Sequence, residues 1–248
     1  MARKERNPAA ETLREMEASG DRIAEWASEN AVVILGVIAG ILVLAAGVGL
    51  WVQHGADRRD AAADALAIAT SDYRQAMGAD PAGGPIPEPA NPDLGRRTRV
   101  EFAERFARIG REHGGTAAGS LAWLEAGTLL ARLERPEEAR ESFEAARESA
   151  GPRSPITALA WMRLADLAEA RGDLAAAAEA YEAAANVPDY PLQANALAEA
   201  ARTWAAAGEP EKALAVFQRL ESEFPDERVP PHIASRMNEL RLELGEAD

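Results

Sequence analysis

Residues 158–191 read ALAWMRLADLAEARGDLAAAAEAYEAAANVPDYP, and this stretch decides the fold. Trp161, Leu164 and Ala165 recur at helical spacing, Gly172-Asp173 interrupts, and Ala177, Tyr181 and Ala184 resume the same period. Two such runs around a Gly-Asp break predict a helical hairpin. Two antiparallel helices approach closely only where small side chains meet. Ala165, Ala177 and Ala184 leave the gaps, and Trp161 and Tyr181 fill them. One hairpin cannot bury its apolar face alone, so copies must stack.

Copies lie on either side. The segments starting at Ser120, Ala158 and Ala194 align, 38 and 36 residues apart. In the first, Trp123, Ala126 and Gly127 precede Ala139, Phe143 and Ala146, with Pro152 near the end and Glu134-Arg135-Pro136 in place of the Gly-Asp turn. In the third, Ala200, Ala201, Trp204, Gly208, Ala213, Phe217 and Pro225 fit, while Leu197 stands where tryptophan stood. The pattern resembles the tetratricopeptide repeat, with a large residue early, small ones midway, a turn and then A-x3-F/Y. The expected fold class is all-α, a solenoid of three such repeats over 114–227.

Residues 53–113 read as a leading hairpin, with Phe102, Phe106 and Ile109 one heptad apart on its second helix and a Pro/Gly-rich insert at 79–95. Residues 228–248 read as a capping helix and tail, with Ile233, Met237, Leu240 and Leu244 on one face. The tryptophans of the repeats, Trp123, Trp161 and Trp204, are expected in the core rather than as ligand stackers.

Upstream, 31–52 reads AVVILGVIAGILVLAAGVGLWV, 22 residues without a charge. As a helix it is about 33 Å long, enough for a hydrocarbon core of about 30 Å. Trp26 and Trp51 suit the two interfacial belts. A signal peptide would carry a shorter apolar core and a small-residue cleavage site. His54-Gly55-Ala56 offers neither, so a retained transmembrane helix is expected. Gly36 and Gly40 form a G-x-x-x-G step that another membrane helix could contact. The tail 1–30 carries Arg3, Lys4, Arg6, Arg14 and Arg22, against Arg58 and Arg59 beyond the helix. That favours a cytoplasmic N-terminus and an exported C-terminal domain.

A net charge of −14 argues against nucleic acid as a partner. With no cysteine, disulfide and thiol chemistry are absent. There is no phosphate loop, dinucleotide fingerprint or H-E-x-x-H, and His54, His113 and His232 lie far apart without a ligand at metal spacing. No cofactor, metal, small-molecule substrate or catalytic residue is expected, and the chain is not expected to be an enzyme.

The candidate binding surface is the face of the first helices. By repeat register it carries Leu121, Leu124 and Thr128, then Leu159, Met162 and Asp166, then Asn195, Ala198 and Arg202. Its first part is apolar and suits apolar stretches of other chains; the same leucines could equally pack on neighbouring helices.

The whole order resembles the YfgM-type family. The tail ends in an amphipathic stretch, Asp21-Arg22-Ile23-Ala24-Glu25-Trp26; the uncleaved helix follows, then an Ala-rich helix with a Tyr (Ala61–Met77), then repeats. The resemblance implies a single-pass protein of the bacterial inner membrane, its C-terminal domain periplasmic. It also implies partners among SecYEG translocon subunits, periplasmic chaperones and unfolded secreted chains. A scaffold in another envelope complex, serving cell-wall or outer-membrane assembly, stays open as the alternative.

Overall fold

A computed structural model of the chain describes residues 30–81 and 83–245, though most side chains of 31–52 are not described. The tail 1–29, with its expected amphipathic stretch, lies outside the described residues. The chain divides into two units, Met1–Ala56 and Asp57–Asp248. In chain order the helices are α1 (Ala31–Ala76), α2 (Pro92–Glu112), α3 (Ala117–Arg132), α4 (Pro136–Ala150), α5 (Pro155–Ala170), α6 (Leu174–Ala185), α7 (Gln193–Ala206), α8 (Pro210–Glu223) and α9 (Pro231–Glu243). Among the described residues there is no strand. The architecture is an all-α, repeat-built solenoid.

The apolar run 31–52 forms the first part of α1. Among the described residues no helix is long and apolar enough to cross a membrane. The expected anchor has no support from them. Gly36 and Gly40 fall among the side chains not described.

In the second unit each helix packs on the next from α2 to α8, α3 also touches α5, and α9 rests on α7 and α8. The alanines at the crossings do what their size predicts: Ala165, Ala177 and Ala184 are wholly buried. Tyr181 packs in the same cluster at 3% exposure, and Phe143 holds the matching place in the first hairpin at 2%. In the first repeat the small position is Gly127. A Cβ there would lie 2.5 Å from the Phe143 ring, so this crossing admits no side chain at all.

The three hairpin turns share one geometry. Glu134, Gly172 and Gly208 have φ of 57°, 79° and 79°. The N–H of each reaches back three residues, to Ala131, Glu169 and Ala205, and the next N–H reaches five, to Leu130, Ala168 and Trp204. This pair of bonds is the Schellman stop, which satisfies the last carbonyls of a helix. The next helix begins at once, with Pro136 or Pro210 at its first position, or with Asp173 accepting from the Ala176 N–H at 3.2 Å. The Glu-Arg-Pro turn of the first repeat is therefore built like the others, with a glutamate in a conformation that favours glycine.

The core forms two clusters. One runs from α1 to α5, through Tyr73, Phe102, Phe106, Leu129 and Phe143; the other runs from α5 to α9, through Tyr181, Leu197, Trp204, Phe217 and Met237. Leu159 packs against both, so the apolar interior continues across α5.

Four expectations need correction. The insert ends earlier than 95, because Asn91 caps Asp93 N–H at 3.0 Å and Pro92 starts α2. Ile86 packs on the first cluster, so the insert is part of the leading hairpin's packing. Trp123 and Trp161 are half-buried, each covered by an arginine: Arg111 lies 5.6 Å from one ring centroid and Arg147 4.5 Å from the other. At α9, Ile233, Met237 and Leu240 are buried, but Leu244 follows the helix end and is 39% exposed.

Candidate protein-binding face

The first helices α3, α5 and α7 are consecutive along the solenoid, and each brings a row of the predicted residues. On α3, Leu121 is 36% exposed, whereas Leu124 is buried at 9% within the core. Leu124 therefore offers little area to a partner: α3 turns it toward the interior. Thr128 returns its hydroxyl proton to the Leu124 carbonyl at 2.8 Å. Between them sits Glu125. Burial holds its carboxyl above the usual carboxylate range, against the pull of Arg132 and Arg163. The residue itself is exposed, so only the neighbouring walls of the helices crowd its carboxyl.

On α5, Leu159 and Met162 are half-buried and pack on the core with one side. Asp166 is exposed and paired with Arg163 at 3.1 Å. On α7, Asn195 is exposed, while Ala198 is buried at 3% and serves packing. The apolar ground open to a partner is thus Leu121, Leu159 and Met162, a smaller set than the register suggests.

Arg202 has a different role from the one expected of a free binding side chain. Its guanidinium donates to both carboxylate oxygens of Glu169 on α5 at 2.9 and 2.8 Å, and its Nε donates to Glu199 at 2.7 Å. The Tyr181 hydroxyl donates to Asp166 at 2.9 Å and approaches Glu169 at 3.3 Å. One network therefore ties α5, α6 and α7. Arg202 holds the Glu169 carboxyl below its ordinary range. Burial, with Asp166 and Glu169 next to it, pushes the Tyr181 phenol far above its own. Charge-assisted bonds are shorter and stronger than neutral ones, and here one guanidinium nitrogen shared between both Glu169 oxygens links successive first helices.

Glu125, Glu169, Glu199 and the Tyr181 hydroxyl were not singled out from sequence. The pairs Glu199/Arg202 and Arg163/Asp166 sit at i,i+3 and were legible. The bond between Glu169 and Arg202 joins neighbouring repeats, and seeing it needs the rotation of each first helix. Among the described residues no group of His, Cys, Asp and Glu could hold a metal ion.

Residues 124–191 match the family model of the tetratricopeptide repeat. The match covers the first hairpin from Leu124 on α3 onward and all of the second. Among solved structures, the chain is similar to one described as nearly identical TPR-like repeats of a protein assigned as a kinesin light chain of Podospora anserina. The identity is 14%, over 74% of this chain and 86% of that one, with a TM-score of 0.47. No curated protein matches significantly.

Proposed function

We propose that the protein is a membrane-anchored interaction module, held by 31–52 in the bacterial inner membrane with its repeats in the periplasm. There it serves as a chaperone-like accessory of the Sec translocon. Tetratricopeptide repeats are scaffolds for protein–protein contact, and the single observation that carries the reading is the half-open apolar row Leu121, Leu159 and Met162 along consecutive first helices. Methionine and leucine adapt to partners of varied sequence. Tethering to the membrane raises the local concentration of partners there, so weak binding suffices. The order of tail, uncharged run, Ala-rich helix and repeats supports the placement.

The test is crosslinking and mild-detergent recovery of the intact protein, with partners identified. Translocon subunits, periplasmic chaperones or secreted chains in transit support this reading; cell-wall or outer-membrane assembly proteins in their place would move it to an envelope scaffold. Leu121→Asp with Met162→Asp is expected to reduce recovery at unchanged helix content. Leu124 is left alone, because a carboxylate in its buried place would unfold the hairpin. Recovery at full yield by the folded double variant sinks the groove reading.

A further inference from the structure

We propose that residues 84–89, Gly-Pro-Ile-Pro-Glu-Pro, are an internal stand-in for a ligand. The seat they occupy on the leading hairpin takes an extended segment of a partner protein, with an apolar side chain followed two residues later by a carboxylate. This seat lies where the end of α1 meets the start of α2, within the second unit. It shares no residue with the proposed first-helix groove.

Pro85, Pro87 and Pro89 favour an extended backbone and remove its donors. Among the described residues, 84–90 makes no hydrogen bond to other backbone. Its Gly84 carbonyl accepts from Arg74 at 2.9 Å. Side chains do the rest. Ile86 packs, half-buried, on the cluster that holds Tyr73, Met77 and Phe102. Two residues on, Glu88 pairs with Arg99 of α2. The Arg99 side chain is 12% exposed and that of Glu88 64%, so the arginine belongs to the seat and the carboxylate comes to it from the solvent side. Gly95, one turn into α2, makes room. A Cβ there would lie 3.1 Å from Glu88 Oε1 and 3.3 Å from Pro89 Cδ. A glycine weakens a helix, and this one stands where the segment passes closest.

A preformed extended backbone read through side-chain anchors is how proline-rich segments are recognised between proteins. Held without a ladder, this segment can leave without breaking either helix. Gly83 and Gly84, at φ of 109° and 107° with open space around them, serve as the hinge on one side. On the other side Asn91 caps α2 by itself, accepting from the Asp93 N–H. One apolar side chain, one ion pair and one carbonyl hold what lies between, which puts the segment at the low-stability end of the fold. Lifting it frees Arg99 and bares the Tyr73 and Phe102 rings, whose centroids lie 5.3 Å apart. A partner segment of the same chemistry then finds both anchors ready. The tether gives the internal segment a high effective concentration, so it holds the seat against weak competitors.

The experiment uses the full chain in mild detergent and a fluorescent, amidated peptide, Gly-Gly-Pro-Ile-Pro-Glu-Pro, followed by anisotropy. Ile86→Ser with Glu88→Gln empties the seat. The emptied chain is expected to bind the peptide at least about tenfold more tightly than the native chain, whose own segment competes. Peptides with Ser for Ile, or Gln for Glu, are expected to bind the emptied chain about tenfold more weakly. Arg99→Glu in the emptied chain is expected to reverse the charge preference, so that a peptide with Arg for Glu binds best. If the emptied chain loses helix content, Glu88→Gln alone, which keeps Ile86 seated, takes its place and must still bind the Glu peptide more tightly than the native chain. Equal binding by the native and emptied chains overturns the proposal. So does equal binding of the Ile and Ser peptides, or no reversal by a folded Arg99→Glu chain. A native chain that dimerises by exchanging the segment, seen by light scattering and lost on emptying, would overturn it in favour of a second copy. Leu121→Asp with Met162→Asp is expected to leave this binding unchanged, so the seat and the first-helix groove fail separately.

Discussion

Glu134 shows most plainly how a residue can be at odds with its own backbone. It occupies the left-handed stop where the other two repeats have glycine, with φ of 57°. An L side chain pays about 1–2 kcal/mol there, partly offset by the smaller freedom of a non-glycine unfolded chain. Glu134→Gly is expected to stabilise the domain by about 0.5–1 kcal/mol, seen as a higher denaturant midpoint at unchanged slope. Gly127 is the converse case. A methyl group 2.5 Å from the buried Phe143 ring forces the ring or its neighbours to shift, so Gly127→Ala is expected to cost about 1–3 kcal/mol in the same measurement. The Glu169–Arg202 pair makes a prediction in pH. Because the folded state lowers the Glu169 pKa, the pair's stabilisation is present above the unfolded carboxylate value of about 4.3 and is lost as pH falls through the lower folded value. Arg202→Gln is therefore expected to reduce stability at neutral pH, with the gap to the native chain closing in acid. An equal gap at both pH values would mean that Arg202 acts through packing of its stem. The small-residue positions and the turns were legible because size and backbone conformation are local properties. The cross-repeat ion pair was not, because Glu169 and Arg202 lie 33 residues apart and meet only once two first helices have fixed rotations.

At the scale of elements, the alternation of large and small residues located all three hairpins, since close crossing admits nothing else at Ala165, Ala177 and Ala184. The tryptophans followed the expectation in part: Trp204 is buried at 3%, while Trp123 and Trp161 pack on the core with one side only. A large residue early in a first helix faces the preceding hairpin, and at Trp123 and Trp161 an arginine covers the side that stays open. Composition alone hid the role of the insert. Counting its prolines and glycines predicts a loop, but Ile86 reaches the cluster of Tyr73, Met77 and Phe102, Arg74 donates to the Gly84 carbonyl at 2.9 Å, and Glu88 pairs with Arg99. The insert thus covers apolar surface of the leading hairpin. Solenoid repeats depend chiefly on their neighbours, so damage here should stay local. Ile86→Asp is expected to cost about 1–2 kcal/mol by removing partly buried apolar area and bringing a charge to it. Hydrogen exchange should quicken in α2 and the end of α1 while α7 and α8 keep their protection. Uniform quickening through α8 would show one cooperative unit instead.

On the scale of the whole molecule, the sequence separates a charge-free run from an acidic, repeat-built remainder, and the division after Ala56 falls close to that boundary. Periodicity reveals a solenoid because each repeat restates the same packing problem. It says nothing of a bilayer, which must be argued from hydrophobic length. The run 31–52 contains no Asp, Glu, Lys or Arg in 22 residues. Exposing such a helix to water would forfeit the apolar transfer free energy of nearly every side chain, about 25 cal/mol per Å². A bilayer recovers it at the length required. If 31–52 is an anchor, the protein stays in the membrane fraction through carbonate washing, and mass spectrometry finds peptides from 1–30 still attached. A mature chain starting near residue 57 would show cleavage instead. The proposed orientation rests on charge. Five basic residues precede the run and two follow it closely, and long C-terminal domains translocate largely regardless of their own charge. Protease added to the periplasmic side is therefore expected to digest the chain from Gly55 onward and spare the tail. Protection of the repeats, with loss of the tail, would put them in the cytoplasm, where they could not meet exported chains; the proposed role at secretion would then fall even if the anchor stood.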